Sequence, residues 1–425
     1  MRAVIAVPAE TERCPRWETP AICPLGDHVN QQDLTLIREK HAQLDALLPA
    51  LRADAWIVFC REGSDQSTLL FAGEAMVGLS AFVFTKRGDK IALVADYDRM
   101  GIEAPGVFSD VLAYGREGLS QHLRDVITRL APASFALNQH VDDYLLDGLT
   151  VGLLRKLEQV LGDDTIGTRA VSSAAVLEPL RARKTPEELR RLRRAIELTQ
   201  QLHDEAGRFM RSGMTERDVA EFIKRRQREL GVTHSFSDGA AVMTGRAGLG
   251  HRTAGDAPIT PGDTVVIDMG IYVEGYTSDV MHTYYVLAEG EQAPPAVVQQ
   301  RFDAAMAAVH RSVEAMRPGV KGFEVDAVAR STLEAHGVEV YTHALGHQIG
   351  RTVHDGGTTL APLGDRYGER GLGALVEGEV YTVEPVVHGI TDVSGHPIGP
   401  EQDVVVTSDG ARFLSRPQTA LTLVR

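Results

Sequence analysis

In the first third of the chain, apolar residues recur at helical spacing in some stretches and form short continuous runs in others. Leucines and Ile37 recur at helical spacing over Gln32–Leu51, which predicts an amphipathic helix. The next apolar run, Ala55–Cys60, is continuous and typical of a buried strand. A hairpin and two further helices are predicted beyond it, over Ala81–Thr85 with Lys90–Val94, Leu119–Leu130 and Leu145–Leu161. Strands that alternate with helices in this way favour an α/β domain.

A second domain is predicted to begin near Pro179–Pro186. Thr185, Pro186 and Glu188 supply an N-cap residue, a proline at the first helical position and a glutamate at the third, which predict the start of a long helix. Three more helices are predicted over Thr215–Leu230, Pro295–Met316 and Gly322–His336. The predicted domains are therefore residues 1–178, which begin with a proline-rich extended arm over 1–30, and residues 179–425.

The composition disfavours several classes of function. The chain has 425 residues and a net charge of −14, which disfavours a nucleic-acid partner because phosphate contacts need basic side chains. No apolar stretch approaches roughly eighteen residues, and Glu10 and Glu12 interrupt the apolar start. We therefore expect neither a membrane span nor a signal peptide, and predict a cytoplasmic protein. Cys14, Cys23 and Cys60 lack the spacing of a zinc site and are interpreted as reduced thiols.

Two aspartates near strand-like runs form the first part of a candidate metal site. Asp268 ends the apolar run Thr264–Asp268, and Asp279 follows eleven residues later. A chain reversal at Val273–Glu274 would set the two aspartates directly opposite each other in an antiparallel hairpin, with Cβ atoms roughly 4.5–5.5 Å apart. Two carboxylates this close on a buried face repel each other unless a cation lies between them.

Three further residues complete the candidate site. Glu384 follows the strand-like run Val380–Val383, Glu401 precedes another such run, and their odd separation lets a second hairpin set them face to face. His347 adds a nitrogen ligand. Four carboxylates and one imidazole suit a pair of Mn, Co, Fe or Zn ions, which in such sites lie roughly 3.5–4 Å apart and share an activated water.

Other catalytic signatures do not fit this sequence. The glycine-rich stretches at 245–250 and 368–373 match neither nucleotide-binding pattern, and His-Glu-x-x-His and Gly-x-Ser-x-Gly are absent. Nucleotide binding, zincin chemistry and α/β-hydrolase chemistry are therefore disfavoured.

The order of the five candidate ligands resembles that of the pita-bread metallopeptidases, which include Xaa-Pro dipeptidases (prolidases), aminopeptidases P and methionine aminopeptidases. The resemblance is good over residues 180–425 and looser before them. It is specific in the Asp268–Asp279 spacing, in Gly346–Gly350 and in Thr382–Pro385. It implies an α/β N-terminal domain of the creatinase/prolidase type followed by an α+β pita-bread catalytic domain. It also implies a homodimer.

The resemblance assigns a role to each candidate ligand. Asp268 would hold one divalent metal ion, Asp279 and Glu401 would bridge two ions, and His347 and Glu384 would hold the second. Manganese is the first expectation, with cobalt, zinc or iron as alternatives. A hydroxide that bridges the metals would attack the carbonyl of an Xaa-Pro bond in a dipeptide or short peptide. Glu384 would serve as general base and acid.

Three histidines also match catalytic positions of the family. His251 and His354 would hydrogen-bond the carbonyl oxygen and the developing tetrahedral centre. His343 would contact the substrate in the leaving-group pocket. The expected partner is therefore a small peptide, with neither nucleic acid nor membrane involved.

The sequence departs from the family pattern at two places. Met281 and His282 follow Asp279 where relatives carry threonine and arginine, so a hydroxyl that supports the metal ligands is missing. Gly399 stands where prolidases place an arginine that binds the substrate carboxylate. Three alternatives stay open: a dimethylsulfoniopropionate lyase, an aminopeptidase P acting on longer peptides, and a non-catalytic binding protein of the same fold. The N-terminal domain disfavours a methionine aminopeptidase, and the intact ligand set disfavours a creatinase.

Overall fold

The computed structural model describes residues 31–237, 239–247, 250, 252–387 and 396–425. The predicted arm, with Cys14 and Cys23, and the candidate catalytic residue His251 lie outside the described residues. Within the described part of the chain, no helix has the length and apolar character needed to cross a membrane.

A six-stranded sheet forms the centre of the N-terminal region. Its strands are β1 (Ala55–Cys60), β2 (Ser80–Thr85), β3 (Lys90–Ala95), β4 (Asp110–Tyr114), β5 (Phe135–Leu137) and β6 (Val171–Ser172). Their spatial order is β4-β3-β2-β1-β5-β6. The predicted hairpin is confirmed, since β2 and β3 pair antiparallel, whereas β1–β5 and β3–β4 pair parallel.

Helices cover both faces of this sheet. They are α1 (Gln31–Leu47), α2 (Thr68–Phe71), α3 (Arg99–Glu103), α4 (Leu119–Leu130), α5 (Val151–Leu161), α6 (Ile166–Arg169) and α7 (Ala174–Ala182). Trp56 and Val58 pack in one core cluster with residues of α1 and α7, while Ile57 and Phe59 pack in another with residues of α4 and α5. The run of β1 is continuously apolar because both of its faces are buried.

One predicted helix begins later than expected. Leu145–Leu161 is split into a short 3₁₀ turn at Tyr144–Leu146 and α5, which starts at Val151. The cause is local capping: the Asp143 carboxylate accepts from the N–H of Leu145 at 2.9 Å, and Thr150 caps the first turn of α5.

The C-terminal region contains the four helices predicted for it. They are α8 (Pro186–Phe209), α9 (Glu216–Glu229), α10 (Ala296–Ala315) and α11 (Gly322–Ala335). The predicted start of α8 is confirmed in detail, because the Thr185 hydroxyl accepts from the N–H of Glu188 and the Glu188 carboxylate accepts from the N–H of Thr185. The domain division at 178/179 stays a prediction.

Among the residues that the structure describes, ten strands accompany these helices. They are β7 (Thr233–His234), β8 (Ala241–Thr244), β9 (Thr264–Met269), β10 (Ile271–Val273), β11 (Tyr276–Thr277), β12 (Val280–Val286), β13 (Val380–Val383), β14 (Gln402–Thr407), β15 (Gly410–Phe413) and β16 (Thr422–Val424). They form three sheets with the orders β11-β10-β7, β16-β12-β9-β8 and β13-β14-β15.

Two of these sheets each pack one face against helices. Val265 and Ile267 of β9 pack with residues of α8 and α9, and Val404 and Val406 of β14 pack with residues of α10 and α11. Because side chains alternate along a strand, Asp268 follows on the face of β9 that is turned away from its helices. A bridge between Met281 and Glu401 joins the two sheets at this point.

A buried ion cluster ties α7 to the loop that carries His354. Asp355 accepts hydrogen bonds from Arg181 Nε at 3.1 Å and from Lys184 Nζ at 3.0 Å, and all three side chains are buried. Burial alone would raise the pKa of Asp355, but the two cations hold it below its usual value.

We expect Asp355→Asn to lower the free energy of unfolding by about 3–5 kcal/mol, because it leaves two cations buried without their anion. Urea denaturation followed by fluorescence measures this loss. The matched control is Asp45→Asn, since Asp45 is half exposed and its ion pair with Lys90 lies at the surface. The control should cost below about 1 kcal/mol. Equal effects of the two substitutions would contradict a structural role for the buried cluster.

Candidate metal centre

The two aspartates come from adjacent strands, but the predicted register is wrong. β9 and β12 pair so that Asp268 lies opposite Met281, not opposite Asp279. The hairpin turns at Glu274–Gly275, one residue later than predicted, because both residues adopt positive φ (50° and 78°) as a tight two-residue turn requires. The shift moves each pairing by two residues, so both aspartates keep the same face of the sheet. Their side chains are close enough that, in addition to burial, the charge of Asp268 raises the pKa of Asp279.

The two glutamates lie in the register that their odd separation predicts. β13 and β14 pair with Val383 opposite Gln402, and the next position of this ladder sets Glu384 opposite Glu401. The N–H of Glu401 also donates to the Met281 carbonyl at 3.2 Å. This contact brings the second hairpin against the first, with the carboxylates between them.

His347 lies on a segment that is held against β13. Its N–H donates to Thr382 Oγ1 at 3.1 Å, and its carbonyl accepts from the N–H of Thr382 at 2.9 Å. The preceding residue must be glycine, since a Cβ on Gly346 would lie 2.0 Å from the Thr382 carbonyl oxygen. The ring Nδ1 donates to the Gln348 carbonyl at 3.1 Å, which leaves the Nε2 lone pair available to a metal.

The five candidate ligands meet at one place. His347 Nε2 lies 3.7 Å from Asp279 Oδ2 and 3.5 Å from Glu384 Oε1. Ligand atoms of Asp279, His347 and Glu401 all lie within 4.8 Å of one another. Asp268 adjoins them, since in addition to burial its charge raises the pKa values of Glu384 and Glu401.

Burial makes this group of carboxylates electrostatically unfavourable on its own. It raises the pKa of Asp268 to about 7 and that of Glu384 to about 8, the latter also through the charge of Asp268. Burial and the neighbouring carboxylates raise the pKa values of Asp279 and Glu401 well above their usual range. A cation would offset these costs.

The donor set fits divalent metal ions. Asp268 Oδ1 and Asp279 Oδ1 are buried and accept no hydrogen bond from the described residues. Buried carboxylate oxygens without a donor are costly, and coordination of a cation satisfies them. Carboxylate oxygens together with an imidazole nitrogen suit Mn, Fe, Co or Zn.

Asp403 is a further carboxylate beside the site, fully buried, that the sequence pattern did not predict. Its Oδ2 accepts from the N–H of Asp279 at 3.3 Å, whereas its Oδ1 accepts no hydrogen bond from the residues that the structure describes. Burial raises its pKa well above the usual range. The signal for it is its position two residues after Glu401, on the same face of β14. We interpret Asp403 as a residue that fixes the backbone of Asp279.

Comparisons with known proteins agree with this geometry. Residues 190–408, more than half of the chain, match the model of metallopeptidase family M24. The chain belongs to this family. It is 30% identical over 247 residues to an Xaa-Pro dipeptidase of Pyrococcus furiosus, in a match that covers 58% of this chain and 66% of that enzyme. It is 27% identical over 343 residues to an uncharacterised peptidase of Bacillus subtilis, covering 79% of this chain and 88% of the relative.

Solved structures share the fold of this M24 protein over most of its length. An X-Pro aminopeptidase from Thermotoga maritima matches with a TM-score of 0.70 at 24% identity, covering 88% of this chain and 98% of its own. An Xaa-Pro dipeptidase from Bacillus anthracis matches with a TM-score of 0.72 at 22% identity, covering 91% and 100%. The predicted fold, an α/β N-terminal region followed by a pita-bread catalytic domain, and the predicted class of enzyme are confirmed.

Two of the three candidate catalytic histidines are described in this M24 enzyme. The rings of His354 and His347 lie 4.3 Å apart between centroids, so exposed His354 borders the carboxylate cluster. His343 is half-buried; its ring packs 5.0 Å from that of Tyr341, and its Nδ1 donates to the Ala344 carbonyl at 2.6 Å. His251 lies outside the described residues.

One buried carboxylate, that of Glu216, binds described residues on both sides of His251 in the sequence. Glu216 accepts from the N–H of Thr244 at 2.7 Å and from the N–H of Gly255 at 3.0 Å. It also accepts from both terminal nitrogens of Arg252, at 2.6 and 2.7 Å. Glu216 thereby fixes the two ends of the segment that contains His251.

The two unusual residues after Asp279 lie on opposite faces of β12. Met281 is paired with Asp268 and shares its face. His282 points the other way, where it is buried and stacks on His203 of α8 with ring centroids 4.2 Å apart. Of Met281 and His282, only Met281 therefore borders the candidate metal centre.

Proposed function

We propose that this M24 enzyme hydrolyses Xaa-Pro bonds in dipeptides or short peptides with the aid of two divalent metal ions. The observation that carries the proposal is the convergence of two buried carboxylates, two half-buried carboxylates and His347 at the junction of two hairpins. The likeness to an Xaa-Pro dipeptidase supports the substrate class. Manganese is the first choice of metal, with cobalt, zinc or iron as alternatives.

The ligands divide between two ions in this proposal. Asp279 and Glu401 would bridge both ions, Asp268 would complete one site, and His347 and Glu384 would complete the other. When bound, the ions would polarise the scissile carbonyl and lower the pKa of a coordinated water. Thr382 supports the second site, since its hydroxyl lies 3.3 Å from Glu384 Oε1 and 3.1 Å from the His347 nitrogen.

Glu384 is the proposed proton carrier. Burial raises the pKa of Glu384, and its Oε1 lies 3.5 Å from His347 Nε2, among the candidate ligand atoms. It would accept a proton from that water and deliver a proton to the proline nitrogen as the bond breaks. His354, exposed beside His347, would donate a hydrogen bond to the carbonyl oxygen, with His251 in a similar role and His343 contacting the substrate.

Hydrolysis of Ala-Pro, Met-Pro and Leu-Pro by the manganese-loaded protein tests the proposal. The same preparation is assayed with longer Xaa-Pro peptides and, for lyase activity, with dimethylsulfoniopropionate. Release of proline from any dipeptide supports the proposal. Cleavage of longer peptides alone would assign an aminopeptidase P specificity. Lyase activity without peptide hydrolysis, or no turnover of any of these substrates, would contradict it.

We also propose a homodimer in which the partner's loops wall the active site. Val141, Tyr144 and Val151 of the N-terminal region are 96%, 66% and 73% exposed. The Tyr144 hydroxyl donates to the His354 carbonyl at 3.5 Å, so Tyr144 adjoins the candidate site. A second copy that covers these residues would bury apolar area.

Light scattering at micromolar concentration should therefore give twice the monomer mass. Val141→Asp should shift the mass to that of a monomer, because it buries a charge in the proposed contact. The control is Val297→Asp on α10, where Val297 is 42% exposed and outside the N-terminal region. A monomeric wild-type protein with full activity would refute the dimer.

A further inference from the structure

Two side chains of α11 bind the main chain just ahead of the imidazole ligand. Arg330 donates to the Tyr341 carbonyl and to the His343 carbonyl, both at 2.8 Å. Asp326, one helical turn earlier, accepts from the N–H of Leu345 at 3.2 Å. Three main-chain groups of one short segment are therefore held by a single helix.

The two side chains also hold each other. Arg330 Nε donates to Asp326 Oδ2 at 2.6 Å, and Arg330 Nη2 donates to Asp326 Oδ1 at 3.2 Å. The guanidinium lies 4.4 Å from the centre of the Tyr341 ring, and the Tyr341 hydroxyl donates to Asp326 Oδ1 at 3.1 Å. We call Asp326, Arg330 and Tyr341 the α11 anchor. A bidentate pair fixes the orientation of both partners, so the anchor presents its donors and acceptors in one geometry.

The α11 anchor is connected to two of the candidate metal ligands. The Leu345 carbonyl accepts from the N–H of Glu384 at 2.8 Å, so hydrogen bonds run from Asp326 through Leu345 to Glu384. Only Gly346 separates Leu345 from His347. A displacement of Leu345 would therefore move the main chain of both ligands.

The other three candidate ligands are held by different groups. The N–H of Asp279 donates to the Asp403 carboxylate at 3.3 Å, and the N–H of Glu401 donates to the Met281 carbonyl at 3.2 Å. Asp268 is held in the β9–β12 ladder. None of these contacts involves α11, so the α11 anchor supports one half of the site.

We propose that the α11 anchor positions the ligands of one metal ion, the ion that His347 and Glu384 would hold. The inference rests on the paired-metal centre of the proposed function. Ligands that are already oriented lose less freedom when the ion binds, and groups that orient ligands typically contribute about 10–100-fold to metal affinity. Loss of the anchor should therefore weaken this ion and spare the ion that Asp268 would hold.

Titration calorimetry of the metal-free protein with Mn²⁺ tests the proposal without any substrate. Wild-type protein should show two binding events. Asp326→Asn should raise the Kd of one ion by about tenfold, and Asp326→Ala, which removes the acceptor of the Leu345 N–H, should raise it by about a hundredfold. The Kd of the other ion should stay unchanged. If the alanine variant does not fold, the asparagine variant decides.

Two controls separate positioning from a general loss of stability. Glu188 is also buried and lies 2.6 Å from its ion-pair partner Lys40, so Glu188→Gln should lower the free energy of unfolding and leave both Kd values unchanged. In a His347→Ala background the second site is already broken. Asp326→Asn should then leave the Kd of the remaining ion unchanged, which identifies the ion that the anchor supports.

Failure of this inference differs from failure of the proposed function. Wild-type protein that binds two ions, with the same two Kd values in folded Asp326→Asn, would overturn the positioning role and leave the paired-metal centre intact. Equal weakening of both ions, or the same weakening in Glu188→Gln, would also overturn it. Wild-type protein that binds fewer than two ions would contradict the proposed paired-metal centre, and the inference would fail with it.

Discussion

Glu384→Gln should abolish turnover while the protein keeps its fold and at least one metal ion. The amide has the size of the carboxylate and retains one oxygen ligand, but it cannot accept the proton of the attacking water. General acid–base groups contribute about 10²–10⁴-fold, so kcat should fall by at least about a hundredfold. Steady-state hydrolysis of the best Xaa-Pro substrate measures the effect.

The control for this variant is Glu379→Gln. Glu379 is buried, and its carboxylate accepts from the Tyr381 hydroxyl at 2.8 Å and from the N–H of Val376 at 2.8 Å. Its substitution should change stability more than kcat. A Glu384→Gln enzyme with more than roughly a tenth of the wild-type kcat would contradict the proposed proton transfer.

The metal-free protein should lose stability as the pH rises. In the unfolded chain Asp268 and Glu384 would titrate near 3.8 and 4.5, whereas burial in the folded metal-free protein raises their pKa values to about 7 and about 8. Between these values the folded state binds more protons than the unfolded state, so the free energy of unfolding falls as pH increases from about 4 to about 8. Asp279 and Glu401, shifted in the same direction, add to the slope.

Added metal should reverse this loss most strongly at high pH. Metal ions compete with protons for the same carboxylates, so they bind better once those groups are ionised. At a free concentration of about 100 times Kd, the gain is about 2.7 kcal/mol, or roughly 3–5 °C in Tm for a chain of this size. Thermal unfolding of chelated and manganese-loaded protein at pH 5 and pH 8 checks both signs. A chelated protein that becomes more stable toward pH 8 would contradict the buried carboxylate cluster.

The alternation of side chains between the two faces of a strand explains how much of the site could be predicted from the sequence. The odd separation of Glu384 and Glu401 is enough to set them face to face once β13 and β14 pair. The separation of Asp268 and Asp279 is also odd. Their shared face was therefore predicted correctly even though their register was not. The error arose at Glu274, because a non-glycine residue with positive φ gives little signal in the sequence.

Contacts between distant segments were beyond the reach of sequence patterns. Asp403 lies beside the metal ligands only because β14 comes against the backbone of Asp279. Met281 lies against Glu401 through a bridge between β12 and the residue before β14, which no periodicity indicates. The helices, by contrast, follow from amphipathic spacing and from caps such as Thr185, which act within a few residues of the chain.

The most direct test of the paired-metal centre is the number of manganese ions bound per chain. Elemental analysis after equilibrium dialysis should give two ions for the wild-type protein. The double variant Asp279→Asn with Glu401→Gln, which removes both proposed bridging carboxylates, should bind at most one. The surface variant Asp45→Asn should still bind two. A wild-type protein that binds no manganese, cobalt, zinc or iron, or a double variant that still binds two ions, would contradict the account.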